Sequence, residues 1–146
     1  MTIWRVTAEY TEERWCYLLT ALENLKRYFG FDAFRNGQEV LINDILEGKD
    51  VLGIMPIGAG KSICFQIPAL MMNGITLIVS PLISLMKDQV NSLVQSGVPA
   101  AFINSSLSEH QVRKALHNAE NGAYKLIYVA PERLLSAGFL SFARSV

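Results

Sequence analysis

The sequence predicts an α/β domain: a parallel sheet with helices packed on its faces. Two observations carry that prediction. Short apolar runs at residues 51–55, 76–80, 100–104 and 125–130 lack the polar alternation of a half-exposed strand. Stretches of helical length separate them, at residues 61–72, 82–95, 108–121 and from 134 onward. Strands that alternate with helices of ten or more residues pair in parallel through crossovers, which are right-handed.

Each element has its own justification. In residues 12–28, Trp15, Leu18, Leu19, Leu22, Leu25 and Phe29 recur at helical spacing. Thr11-Glu12-Glu13 places a capping hydroxyl and two carboxylates at the helix start, and Gly30 ends it. Residues 38–46 form a short helix with Val40, Leu41, Ile45 and Leu46 turned inward, closed by the turn Gly48-Lys49-Asp50. The first strand, residues 51–55, runs into a Gly-rich loop and then an apolar helix. Residues 1–10 carry no pattern.

Composition bounds the rest. The 146 residues suffice for one domain, and a hydrophobic fraction of 51% against 18% charged residues excludes a disordered chain. Thirteen basic residues balance thirteen acidic ones, so net charge does not point to nucleic acid. Cys16 and Cys64 lie far apart without neighbouring ligands, which argues against a zinc site or a disulfide framework and suits a reducing compartment. The acidic N-terminus has no apolar signal core, and the longest apolar stretch, residues 74–86, is interrupted at Ser80-Pro81 and too short to span a bilayer. The expectation is a soluble intracellular domain.

The candidate chemistry begins after the first strand, at Met55-Pro56-Ile57-Gly58-Ala59-Gly60-Lys61-Ser62. Glycines let the backbone wrap a polyphosphate, and the N–H groups of the following helix point at it. Lys61 would neutralise the β- and γ-phosphates, and Ser62 would ligate Mg²⁺. Met55 stands where the strict pattern has glycine; the strand–loop–helix placement supports the reading despite that departure.

Other motifs accompany the loop. Phe34-Arg35-Asn36-Gly37-Gln38-Glu39 precedes it and Gln66-Ile67-Pro68-Ala69-Leu70 follows. Then come Val79-Ser80-Pro81-Leu82-Ile83-Ser84-Leu85-Met86-Lys87-Asp88-Gln89 and Tyr128-Val129-Ala130-Pro131-Glu132-Arg133-Leu134. In this order and spacing, from about Leu25 to the C-terminus, the set resembles the first RecA-like domain of RecQ-family helicases. That resemblance implies residues 1–24 as a tail with the start of a helix, and residues 25–146 as a RecA-like P-loop domain, incomplete at its C-terminus.

The resemblance also implies roles. Phe31 corresponds to the aromatic that stacks on adenine, and Arg35 and Gln38 to the residues that read its edge; an amide offers the donor and acceptor together. Pro56, Ile57, Gly58, Ala59, Gly60, Lys61 and Ser62 correspond to the phosphate loop of an ATP site, with Lys61 and Ser62 catalytic and Ser62 on Mg²⁺. Ser80, Pro81 and Leu82 correspond to a motif that touches single-stranded DNA. Asn104-Ser105-Ser106 and Pro131-Glu132-Arg133 correspond to later DNA-side motifs. The implied activity is ATP-dependent 3′-to-5′ unwinding of DNA in repair and recombination, acting on single strands and duplex junctions in a bacterial cytoplasm or a nucleus.

Ile57 and Asn36 depart from the family's usual Thr and Pro, and the alkyl group at 57 is expected to weaken nucleotide binding. The family's acidic box, Asp-Glu-Ala-His, should follow Pro131-Glu132-Arg133, and Val146 comes first. An N-terminal piece that binds nucleotide or DNA without turnover is therefore the competing reading. An unrelated P-loop enzyme such as a small kinase accounts for the loop but not for the other motifs. In the family topology, later strands flank the phosphate-loop strand. The expectation is that residues 51–55 stay unpaired here and that the chain is marginally stable and self-associates.

Among the remaining residues, His110 and His117 read as a solvated helix face, and Met71, Met72 and Trp15 as packing. Tyr128 reads as sheet packing and Cys64 as an unreactive thiol.

Overall fold

A computed structural model describes residues 14–145, with side chains from residue 20 onward. The capping triplet Thr11-Glu12-Glu13 and the side chains of Trp15, Cys16, Leu18 and Leu19 lie outside the described residues. The chain divides at Asn73/Gly74 into two compact units.

The first unit is helical: α1 (Arg14–Phe29), α2 (Gln38–Leu46) and α3 (Ile63–Met71). Gly30 ends α1 as expected, with φ +73° and its N–H bonded to Lys26 O at 3.0 Å. Ala21 and Leu25 of α1, Ile42 and Leu46 of α2, and Ile63 and Ile67 of α3 make the core. Met71 and Met72 pack against it, as filler. One inward residue of α2 was misassigned from sequence. Val40 is 64% exposed and Ile42 is fully buried, because the turn of the helix carries position 42, with 45 and 46, onto the face that meets α3.

The larger correction concerns residues 51–55, which form no strand. A strand is defined by a neighbour that takes its ladder bonds, and an apolar run does not provide one. Leu52 and Ile54 are 72% and 89% exposed, and Gly53 passes against Leu41.

The second unit holds a three-stranded sheet: β1 (Thr76–Val79), β2 (Ala100–Ile103) and β3 (Leu126–Val129), in the order β1-β3-β2. Both pairings are parallel, and Val79, Val129 and Ile103 stand level. Helices α4 (Ile83–Gln95), α5 (Glu109–Glu120) and α6 (Ala137–Ser145) accompany it. The α/β class read from sequence is therefore correct, with three strands among the described residues instead of four.

Every residue of β3 is buried, the signature of a strand covered on both faces. Ile127 and Val129 join Ile103, Leu116, Ala119, Phe139 and Phe142 in one core. The rings of Phe139 and Phe142 meet edge to face at 5.8 Å. On the opposite face, Tyr128 points its hydroxyl at Gln89 of α4, 3.5 Å away. Ser108 and Gln111 close a reciprocal capping box at the start of α5.

The last helix begins three residues later than expected. Pro131–Arg133 form a single 3₁₀ turn after β3. The Ser136 hydroxyl then accepts the Phe139 N–H at 3.4 Å, an N-cap that starts α6 at Ala137.

Candidate nucleotide and nucleic-acid sites

In the first unit, the segment 56–62 turns back on itself through Gly58 (φ +81°) and Gly60 (φ +78°). Both angles lie in the left-handed region, which glycine adopts without a Cβ penalty. Ala59 N–H bonds Pro56 O at 3.3 Å, and Ile63 N–H bonds Gly60 O at 3.1 Å, leading into α3. Among the described residues, no protein acceptor takes the N–H of Gly58, Gly60, Lys61 or Ser62. These are the orphan donors of a loop that opens a helix.

Lys61 lies across the loop, its ammonium donating to Met55 O (3.1 Å) and Pro56 O (2.9 Å). A phosphate would compete with two neutral carbonyls for that charge, an exchange that favours the anion. Ser62 is the N-cap of α3, and its hydroxyl makes no cap bond. That chemistry suits Mg²⁺, a hard cation that takes few protein oxygens and completes its shell with phosphates and water. The described residues hold no group of three His, Cys, Asp or Glu side chains that could bind a metal without such help. Ile57 is fully exposed at the loop tip and contributes no packing.

Arg35 and Gln38 meet the loop from outside. Arg35 Nη1 donates to Gly58 O at 2.5 Å. Gln38, only 3% exposed, donates through Nε2 to Ala59 O (3.2 Å) and Gly60 O (3.0 Å), while its Oε1 accepts the Arg35 N–H at 2.8 Å. Phe31 is half exposed. The residues expected to read a base are thus held near the loop, and Gln38 spends its amide on loop backbone. Sequence reasoning identified these residues but not the carbonyls they hold. Those partners lie more than twenty positions away in the chain.

Cys64, the second residue of α3, is buried beside the Met55 sulfur at 3.7 Å. Burial pushes its thiol above the usual range, as expected of an unreactive cysteine.

In the second unit the other three motifs share one end of the sheet. Ser80, Asn104 and Ala130 each follow the last residue of a strand. Ser80 N–H bonds Val129 O at 3.1 Å and Ala130 N–H bonds Ile103 O at 2.9 Å, so the ladder continues into the motifs. Ligands bind at this carboxyl end in open α/β sheets.

Within the motifs the side chains differ in access. Pro81, Leu82, Ser105, Ser106, Pro131 and Glu132 are exposed. Leu82 N–H reaches Ser80 Oγ at 3.4 Å, a local turn that leads into α4. Asn104 is fully buried. Its Oδ1 accepts from Ser106 N (3.0 Å) and Ser106 Oγ (2.7 Å), and its amide nitrogen faces the Met86 sulfur at 3.7 Å. Asn104 therefore shapes the turn that presents Ser105 and Ser106, with its own side chain out of reach of solvent. Arg133 Nε is buried without a hydrogen-bond partner among the described residues. His110 and His117 lie on the solvated face of α5, as read from sequence.

A Gly-rich loop that opens a helix in the first unit, and three motifs at the carboxyl end of a parallel sheet in the second, define the class as an α/β P-loop domain. The DEAD/DEAH box helicase family model matches residues 35–144, and the chain belongs to that family. Within it the likeness is to RecQ proteins, as the motifs indicated. The chain is 48% identical over 123 residues to the ATP-dependent DNA helicase RecQ of Bacillus subtilis (strain 168), covering 84% of this chain and 21% of that protein. Against the RecQ of Haemophilus influenzae it is 49% identical over 120 residues, with 82% and 19% covered. Against the ATP-dependent DNA helicase Q-like 5 of Arabidopsis thaliana the figures are 44% over 126 residues, with 86% and 14% covered. The chain spans about a fifth of the length of the RecQ relatives it matches. No helix among the described residues is long and apolar enough to cross a membrane.

Proposed function

We propose that residues 25–146 are part of the first RecA-like domain of an ATP-dependent DNA helicase of the RecQ type, which unwinds DNA in the 3′-to-5′ direction during repair and recombination. The observation that carries this reading is the loop at 56–62, where four N–H donors have no protein acceptor among the described residues and lie beside the Lys61 ammonium. The family membership and the named RecQ relatives support it.

In this reading the loop N–H groups cradle the phosphates, Lys61 neutralises their charge and Ser62 holds Mg²⁺. When bound, the metal would offset charge on the phosphates. Phe31 supplies a face for adenine, and Arg35 lies beside it. Ser80–Leu82, Ser105-Ser106 and Pro131–Arg133 form the DNA side, with Asn104 shaping its central turn. Such a protein works where DNA lies, in the bacterial cytoplasm or the nucleus.

Calorimetric titration of the chain with MgATP tests the reading. Lys61→Ala should weaken binding on the order of tens- to a hundredfold, the worth of a charge-assisted contact to phosphate. Equal affinity in the wild type and the variant would remove the phosphate-loop assignment.

A further inference from the structure

We propose that the outer edge of β2 takes up an extended, acidic peptide of a partner protein, which adds to the sheet as a further strand. The site lies within the unit that begins at Gly74 and does not depend on the nucleotide or DNA readings.

The backbone defines the opening. In a parallel ladder, alternate residues turn both their N–H and their C=O to the same neighbour. Pro99 O accepts the Leu126 N–H at 3.3 Å and Ile103 O accepts the Ala130 N–H at 2.9 Å, so Pro99, Ala101 and Ile103 face β3. Ala100 and Phe102 therefore face outward, because β2 ends the strand order β1-β3-β2. Among the described residues, nothing takes the two N–H and two C=O groups that they present. The edge is closed on either side of them. Val98 N–H bonds Leu93 O at 2.9 Å, and Asn104 O accepts the Leu107 N–H at 3.4 Å. What stays open is a three-residue stretch on which one added strand can form four ladder bonds.

A cavity of about 300 Å³ borders this stretch, and its two walls differ. Phe102 stands level with Tyr128, whose hydroxyl faces α4, and together with Val90 of α4 it makes an apolar wall. Ala101 lies on the other face with Ile103, which packs on Leu116 and Ala119 of α5. On that side Ala101 and Ala115 leave room beside Asn118 and Lys114, and Lys114 is the single charged side chain of the lining among the described residues. It has no ion-pair partner there. The positions three and four away on α5 are His110, Gln111, His117 and Asn118, whereas the adjacent Arg113 has Glu109 at 3.8 Å.

A strand sends successive side chains to opposite faces. The peptide that fits alternates apolar residues, for Val90 and Phe102, with carboxylates, for Lys114. A second copy of this chain fits less well. An antiparallel, two-fold pair of β2 edges would place both Lys114 ammonium groups on one face with no carboxylate from either groove to separate them.

The probe is a fluorescein-labelled heptapeptide of alternating Val and Glu, titrated against the full chain by polarisation beside the same peptide with Lys in place of Glu. The Val/Glu peptide should bind at least tenfold more tightly than the Val/Lys peptide. Lys114→Glu, at an exposed helix position, should weaken the first roughly tenfold, the order of a charge-assisted contact, and reverse the preference. Protection of the Ser80 and Ala130 amides, in the same unit, verifies that the variant is folded. Hydrogen exchange reads the strand itself. The peptide should slow the amides of Ala100 and Phe102, while those of Ala101 and Ile103 are slow from the start. No saturation at millimolar peptide, equal binding of both peptides, or binding that leaves Ala100 and Phe102 exchanging as before would each overturn the proposal. Protection of those two amides that rises with protein concentration alone would give the edge to a second copy instead.

Discussion

The two units treat similar apolar segments in opposite ways. In the unit that begins at Gly74, residues 126–129 are a run of Leu, Ile, Tyr and Val, paired on both sides and wholly buried. In the unit that ends at Asn73, residues 51–55 are as apolar, yet they pair with no strand among the described residues, and Leu52 and Ile54 face solvent. Composition does not separate the two segments. The difference is that β3 has neighbours for its backbone and residues 51–55 do not. Burial of apolar side chains follows once the backbone groups are satisfied.

Hydrogen exchange gives the widest contrast. The N–H groups of Thr76, Ser80 and Ala130 donate to carbonyls of neighbouring strands, so their exchange should be slowed by orders of magnitude relative to residues 51–55. Equal, strong protection in a dilute monomer would erase the distinction and restore the first strand.

Truncating side chains should separate the segments next. Ile127→Ala removes a fully buried side chain from the centre of the sheet and should cost about 2–5 kcal/mol in chemical denaturation. Ile54→Ala, at an exposed site, should stay within about 0.5 kcal/mol of wild type and should lessen self-association in sedimentation experiments. A loss at 54 as large as that at 127 would mean that residues 51–55 are packed.

The helices of the sheet unit supply a smaller and sharper test. Ser108→Ala breaks the capping box of α5 and should lower stability by about 1 kcal/mol, with Gln111→Ala giving part of the same loss. Additive effects of the two substitutions would show that the box is not reciprocal.

The smallest expected effect concerns Cys64. Its thiol is raised by burial, so the folded state favours the protonated form. The resulting stability is present below the thiol's unfolded value and is lost as pH rises toward the folded one. In a Cys16→Ser chain, alkylation at neutral pH should be slow and accelerate only on unfolding. Rapid labelling of the native protein would place the thiol at the surface.

Helices and the paired strands were legible in the sequence because their signals are local: apolar spacing, Gly30 as a stop, and apolar runs bounded by Gly and Pro. The Ser108–Gln111 box was equally local and carries a recognisable signature, a hydroxyl followed three positions later by an amide. Ser136 at the start of α6 was available in the same way. Residues 51–55 read as a strand from their own apolar pattern, because strand identity belongs to a pair; that they stay unpaired here was expected from the family topology alone. Asn104 reads as a surface residue by type, and only the nearby Ser106 and the distant Met86 account for its burial. For Gln38 the residue type pointed to a base edge, whereas its carbonyl partners at 59 and 60 depend on a long-range approach.

The level rung formed by Val79, Val129 and Ile103 makes the sheet a comb with a fixed pitch. Its three teeth begin at Ser80, Ala130 and Asn104, and their spacing is about 4.8 Å per strand, set by hydrogen-bond geometry. Lengthening a loop behind the sheet, such as the turn at Gly122, leaves that pitch unchanged. Slipping one strand by a single residue displaces its tooth and reverses every side chain along it. The far ends of this unit are therefore free to vary in length, while the register of three four-residue strands sets the distances across its working edge.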